Sequence, residues 1–187
     1  MKTLFLLFSA TLIAQLLNAQ IEGGVRLGLN LSNQKWELGL DNQTDEMKAG
    51  MSAGVYANIK IADSFSVQPE LLYNSMGSKT SEGKYSLQYL SLPVFGRYDI
   101  NDLFEAHIGP QFSYLLSGKY SGVDIKDSYK NFDIGVTIGV GVKIDALQAG
   151  LRYYRGFNNT FAENSADIRL TQSAIQLFAG YRLFGEN

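Results

Sequence analysis

Cysteine is absent from all 187 residues, which excludes disulfides, thiolate metal sites and a lipid anchor on an N-terminal cysteine. Proline occurs three times, at Pro69, Pro93 and Pro110, while histidine and tryptophan occur once each, at His107 and Trp36. Neither sign of charge dominates: 16 Lys and Arg stand against 18 Asp and Glu, no footprint for nucleic acid. Beyond residue 20 no apolar run approaches the ~18 residues of a transmembrane helix, so this chain can enter a membrane only as a closed barrel.

What is present begins with MKTLFLLFSATLIAQLLNAQ. One lysine, an apolar stretch from Leu4 to Leu17 and the small-residue exit Asn18-Ala19-Gln20 predict a secretory signal peptide over 1–19, cleaved after Ala19. The remaining residues, 20–187, suit a single domain.

The period of the pattern is two. Odd positions are apolar in Val25-Arg26-Leu27-Gly28-Leu29-Asn30-Leu31-Ser32, and Met51, Ala53, Val55, Ala57, Ile59 and Ile61 share one face of the next run. The cleanest case is Phe132 to Ile144, where seven apolar residues oppose Asp133, Gly135, Thr137, Gly139, Gly141 and Lys143. Eight strands are predicted at 22–32, 50–61, 65–76, 86–99, 104–117, 131–144, 147–157 and 171–184. Tight turns at 62–64, 100–103 and 145–146 alternate with longer polar connections at 33–49, 77–85, 118–130 and 158–170. That is the layout of an all-β, eight-stranded antiparallel up-and-down transmembrane barrel with short periplasmic turns and longer extracellular loops.

Alternation alone does not say which face is outside. A soluble barrel would put Lys and Glu on its polar face, but this face carries Gly28, Gly50, Gly54, Gly109, Gly135, Gly139, Gly141, Gly150 and Gly180. Glycine weakens a solvated strand without return, whereas in a crowded lumen it makes room for long side chains. Aromatics on the apolar face gather near strand ends, Phe65, Tyr98, Phe104 and Tyr181 toward the short turns, Tyr73, Phe112, Tyr114, Phe132 and Tyr153 toward the loops. They predict two interfacial girdles on a lipid-facing surface.

Three stretches, Gln68-Pro69-Glu70-Leu71-Leu72-Tyr73, Tyr89-Leu90-Ser91-Leu92-Pro93-Val94 and Gly109-Pro110-Gln111-Phe112, carry a resemblance. With the glycine-alternating strand at 131–144 and Leu151-Arg152-Tyr153, the chain resembles the outer-membrane β-barrel domain of bacterial "porin family" proteins, small eight-stranded barrels of Gram-negative outer membranes. The resemblance implies an outer-membrane location. It departs at Ser91, where the family often has an acidic residue, so one inward carboxylate is missing. The prolines fall at one level of adjacent strands. A closed barrel has no edge strand on which to place them, so each is expected at a bulge or a missing ladder bond.

Strand parity sends Arg26, Lys60, Glu70, Arg97, Glu105, His107, Asp133, Lys143, Arg152 and Arg182 into the lumen. Unpaired charges in a confined interior are costly. Glu70 is therefore expected to pair with Arg97 or Arg152, with Lys60, Lys143 and Arg182 near the short-turn mouth. Eight strands leave a lumen that side chains can fill, so these charges read as a plug.

The functional reading is a non-catalytic integral outer-membrane protein in contact with lipid and the barrel-insertion machinery, its extracellular loops meeting surfaces or partner membrane proteins. The alternative is a narrow small-solute or ion channel, and a third class is a soluble periplasmic lipocalin-like lipid binder with inverted faces. A hydrolase would need a nucleophile, a base and an orienting acid within reach; His107, Glu105 and Ser113 share one face, but inside the lumen. No cofactor or metal is expected: the acidic stretch 41–46 lacks the glycine and terminal glutamate of a calcium loop. Trp36, in an outward loop, is a candidate contact to headgroups or a partner. The ending Ala179-Gly180-Tyr181-Arg182-Leu183-Phe184 resembles a barrel-insertion signal, although Phe184 has inward parity, which suggests a strand ending at Leu183.

Overall fold

A chain crossing lipid must satisfy every backbone group within itself, and the alternating runs do so by closing into a cylinder. The computed structural model describes residues 21–38, 41–160 and 168–185. In chain order its strands are β1 (Ile21–Leu38), β2 (Asp41–Thr44), β3 (Glu46–Ala62), β4 (Phe65–Lys79), β5 (Lys84–Asp99), β6 (Phe104–Tyr120), β7 (Val123–Asp124), β8 (Phe132–Ile144), β9 (Leu147–Gly156) and β10 (Ile168–Phe184). The short β2 and β7 fold back on β1 and β6. The other eight form an antiparallel meander, closed where β10 returns to β1 through pairs such as Leu29↔Leu177. The wall is thus a closed eight-stranded antiparallel barrel, with every predicted strand present. The predicted signal peptide over 1–19 lies outside the described residues.

The tight turns are built from local chemistry. Asn101 Oδ1 accepts the backbone N–H groups of Leu103 (2.9 Å) and Phe104 (2.7 Å), closing an Asx-type turn. Asp145 takes φ +53° at the β8–β9 hairpin, a conformation aspartate tolerates.

Faces fall as the glycine argument requires. Leu27, Leu29, Met51, Val55, Leu71, Ile108, Ile138, Val140, Leu151 and Leu177 point outward and exposed, while Arg26, Glu70, Arg97, Glu105 and Arg152 are buried inside. The apolar band runs from Phe65 to Tyr73 on β4 and from Leu90 to Tyr98 on β5, nine residues each, the length of a tilted membrane strand. Outward positions then turn polar on the loop side, at Asn33, Ser75, Gln88 and Ser173. The strands nevertheless continue, so the wall overhangs the membrane. In this overhang the pattern inverts: Met76, Leu87, Tyr89, Leu115 and Leu170 point inward and are buried, while Lys84 and Ser86 point outward. The neighbours Tyr89-Leu90 and Tyr114-Leu115 mark the switch, one apolar side chain on each face.

The wall is irregular where the prolines stand. The β3–β4 ladder omits the pairs around Pro69, the β4–β5 ladder those around Pro93, and the β5–β6 ladder those around Pro110. Register is unchanged across each gap, so these are missing bonds rather than bulges. Pro69 pairs with Val94, next to Pro93, and Pro110 lies one residue from Gln111, the partner of Pro93, so the gaps form a lateral band across three adjacent ladders.

True bulges lie elsewhere. Leu116 is the extra residue of β6, and Leu183 that of β10, between Gly24↔Arg182 and Gly23↔Phe184. The second corrects the expected end at Leu183: the strand runs through Phe184, the bulge shifts its parity, and its ring packs over Gly23. Ile61 is likewise an extra residue of β3, between Lys60↔Ser66 and Ala62↔Phe65, and a further irregularity separates β3 from β4 over residues 48–51. Ser32 of β1 closes that breach by bonding both the N–H and the carbonyl of Gly77 (2.9 Å each), whose φ of +139° requires glycine.

Candidate functional site

The lumen is filled at mid-wall by an ionic stack. Glu70 on β4 accepts a bidentate pair from Arg152 on β9, both contacts 2.8 Å, and is 2.8 Å from an Arg26 nitrogen on β1. The Phe178 ring of β10 stacks on both guanidiniums, 4.4 Å from that of Arg26 and 4.3 Å from that of Arg152. Tyr56 lies 4.9 Å from the Arg26 guanidinium and Phe95 4.4 Å from that of Arg152. One carboxylate thus serves two cations, and aromatic faces supply the rest of their stabilisation. Gln68 donates to Glu70 (2.6 Å) and accepts from Arg97 (3.2 Å), tying the stack to the level below.

At that lower level Arg97 pairs with Glu105 (2.9 Å) and Asp99 (3.2 Å), and Lys143 with Asp99 (2.8 Å). Arg182 lies 3.5 Å from Glu22. Beneath them a vestibule of about 410 Å³, lined by residues including Lys60, Asp63, Arg97, Asp102 and Gln148, opens between the short turns. Its mixed charges leave no field of one sign.

His107 is held between the Phe95 and Phe178 rings (centroids 5.0 and 5.8 Å). Its Nε2 accepts from Arg152 Nε (2.9 Å), which places the ring proton on Nδ1, 3.9 Å from Glu105 Oε1. Gly139 faces this pair, where a Cβ would come within 2.5 Å of the imidazole and 2.7 Å of the Arg152 side chain. Ser113 bonds Ser91 (2.9 Å) rather than the histidine, so the three residues do not assemble as a triad.

The outer end is closed differently. The connection after β7 makes a 3₁₀ turn at Lys126–Ser128 and returns Tyr129 into the mouth. There it packs with Met76, Leu87, Tyr89, Leu115, Tyr154, Leu170 and Ala174, flanked by Trp36, Tyr85 and Ile125. A polar ring surrounds it: Gln34 donates to the Tyr129 hydroxyl (3.3 Å), while Ser78 donates to Gln34 (2.8 Å) or Asp45 (2.7 Å). Burial pushes the Tyr129 hydroxyl well above its usual pKa, and the Gln34 bond offsets this only in part. Asp133, below the cap, accepts from the Tyr154 hydroxyl (2.6 Å).

The comparisons with known proteins meet this geometry at the level of the whole chain. The family model for the outer membrane protein beta-barrel domain matches residues 13–162. The chain belongs to this family. Among solved structures, this outer-membrane barrel is similar to Ail, the attachment invasion locus protein of Yersinia pestis, solved in complex with the heparin analogue sucrose octasulfate. That match has 14% identity and a TM-score of 0.52 and covers 88% of this chain and 99% of Ail. It is also similar to Neisserial surface protein A, with 15% identity, a TM-score of 0.52 and 84% and 96% of the two chains covered. Likeness at that identity shows the fold of a small outer-membrane barrel. No curated protein matches this sequence significantly.

All ten luminal residues read from parity lie on the inward side of the outer-membrane barrel, Lys60 at its exposed short-turn rim. Glu70 pairs with Arg152, one of its two expected partners, and also with Arg26, while Arg97, the other, goes to Glu105. Ser91 bonds Ser113, and Glu70 serves both arginines. Trp36 does not reach outward: its ring packs against the cap and its N–H donates to Asp45 (3.2 Å). Sequence reasoning missed Glu22, Asp99, Phe95, Phe178 and Tyr56, although each has inward parity on its strand.

Proposed function

We propose that this is a non-catalytic integral outer-membrane protein, exported through a cleaved signal peptide, that acts through its outer end rather than through its lumen. The observation that carries this reading is the filling of the lumen by two unlike closures in series, the Glu70 stack and the Tyr129 cap. A continuous water path would have to breach both. The barrel-insertion machinery is then a partner during assembly, and the extracellular rim the contact surface for other surfaces or membrane proteins. Single-channel recording of the refolded protein in planar bilayers tests the reading. The expected trace is flat, with heat-dependent gel mobility certifying that the barrel is folded. Discrete steady conductance from the same sample would replace it with the narrow-channel alternative.

A further inference from the structure

The vestibule between the short turns is a cup rather than a passage. Its floor is shut by Arg26, which donates to Gln148 (2.8 Å), and by Arg97, which donates to Gln68 (3.2 Å). Three cations of its wall are committed within the protein: Arg97 to Glu105 and Asp99, Lys143 to Asp99, and Arg182 beside Glu22. Lys60 is not. Among the described residues it forms no ion pair, not even with Asp63 of its own turn, and its partner across the β3–β4 ladder is Ser66. Ser66 lines the same wall and is only 5% exposed, yet its hydroxyl makes no hydrogen bond among the described residues. An ammonium beside an unused hydroxyl donor is a place for a carboxylate.

The far side of the mouth carries the opposite sign. Counted round the eight wall strands, the β8–β9 turn stands four strands from the β3–β4 turn in either direction, so Asp145 lies diametrically across from the turn that follows Lys60. The Lys143 N–H donates to the Leu103 carbonyl (2.8 Å), which draws the β5–β6 turn alongside and sets Asp102 next to that side. Both carboxylates are exposed, and neither forms an ion pair among the described residues. The wall thus keeps two unneutralised signs apart across a cup of about 410 Å³. A ligand of single charge meets repulsion from one side of this mouth, whereas a dipolar one meets attraction from both. We propose that the vestibule binds a short peptide with a free ammonium and a free carboxylate, the carboxylate on Lys60 and Ser66 and the ammonium on Asp102 and Asp145. The site lies at the end opposite the extracellular rim, so it holds or fails independently of the role proposed for that rim.

The test is amide NMR of the folded full-length barrel in detergent micelles, titrated with trialanine and with its N-acetylated and C-amidated forms. Free trialanine is expected to shift the amides of Ser66, Asp102 and Asp145, and each blocked form should bind about fivefold more weakly, the worth of one exposed charge contact. Lys60→Gln should bind the free and the amidated peptide equally, and the double variant Asp102→Asn with Asp145→Asn the free and the acetylated one. Lys84→Gln, at the outer end, keeps both preferences. Heat-dependent gel mobility verifies folding. Silence of those amides at about 20 mM trialanine, or blocked peptides that bind as well as the free one, overturns the proposal, and these wild-type arms decide it even where a variant does not fold. So does a folded Lys60→Gln that still favours the free carboxylate. Purified cell-wall sacculi then separate two sources of the same chemistry: retention of the protein that trialanine releases assigns wall-bound peptides, and lack of retention assigns soluble periplasmic ones.

Discussion

At mid-wall the lumen is filled by ions, with Glu70 bound to Arg26 and Arg152 and Phe178 stacked on both guanidiniums, whereas at the outer end it is filled by Tyr129, Leu87, Leu115 and Leu170. The same strands build both regions, β5 sending Ser91 and Arg97 into the first and Leu87 and Tyr89 into the second. What differs is the medium outside the wall. Where lipid covers the outer face, apolar side chains face out and the interior takes the polar residues. Where the wall rises into water, ordinary hydrophobic burial works again and the pattern inverts. The closing chemistry of each level follows its external solvent.

The largest effect expected from separating the two regions is at Glu70. Glu70→Gln leaves two buried guanidiniums without a carboxylate and should cost about 3–5 kcal/mol, read as a lowered urea midpoint of the heat-modifiable gel form. Adding Arg26→Met and Arg152→Met should recover most of that loss, since an apolar replacement of a buried ion cluster is often neutral. If the triple variant were no better than Glu70→Gln, the stack would owe its stability to something other than charge balance. Next comes the cap, where Leu87→Ala should cost about 2–3 kcal/mol through lost burial and a residual cavity. Urea unfolding of that variant sharpens the contrast, because no second substitution at the ionic level should rescue it.

Tyr129→Phe is expected to cost about 1 kcal/mol near neutral pH, the value of the Gln34 bond. It also carries a pH signature. Burial holds the folded hydroxyl above its ordinary pKa of 10.0, so the stability it contributes is complete below pH 10 and declines as the pH rises further. Unfolding midpoints measured across that range should fall more steeply for wild type than for Tyr129→Phe, and parallel curves would mean that the hydroxyl is not buried in solution. Smallest of all, Pro110→Val offers a donor across the β5–β6 gap and should shift stability by under about 1 kcal/mol. Hydrogen exchange at Val94, whose N–H faces residue 110 across that gap, should nevertheless slow, and unchanged exchange would show that the proline is not what keeps that ladder open.

The inversion also explains what could be read from the residues alone. Inside the lipid the two-residue period is enforced on every strand, so the strand count and the inward parity of all ten luminal residues were legible. The overhang was not. Residues 33–38, 46–49, 77–79, 84–85, 118–120 and 168–170 continue wall strands but looked like loops, because their apolar positions change face at pairs such as Tyr89-Leu90. Which charges meet was hidden for another reason: contact across a lumen depends on stagger, and the bulges at Leu116 and Leu183 that adjust it leave no local pattern. Parity could have supplied Phe95 and Phe178, but a search for charges passes over the aromatic faces that stack on them.

The overhang has a consequence for recognition. Among the described residues the outer end presents bonded strands, so a partner of the kind proposed would order little of that chain on docking and keep more of the contact free energy as affinity. Because alternate residues on those strands point away from the plug, the outward set can also be rewritten for a new partner while the inward set, and with it the seal, stays the same.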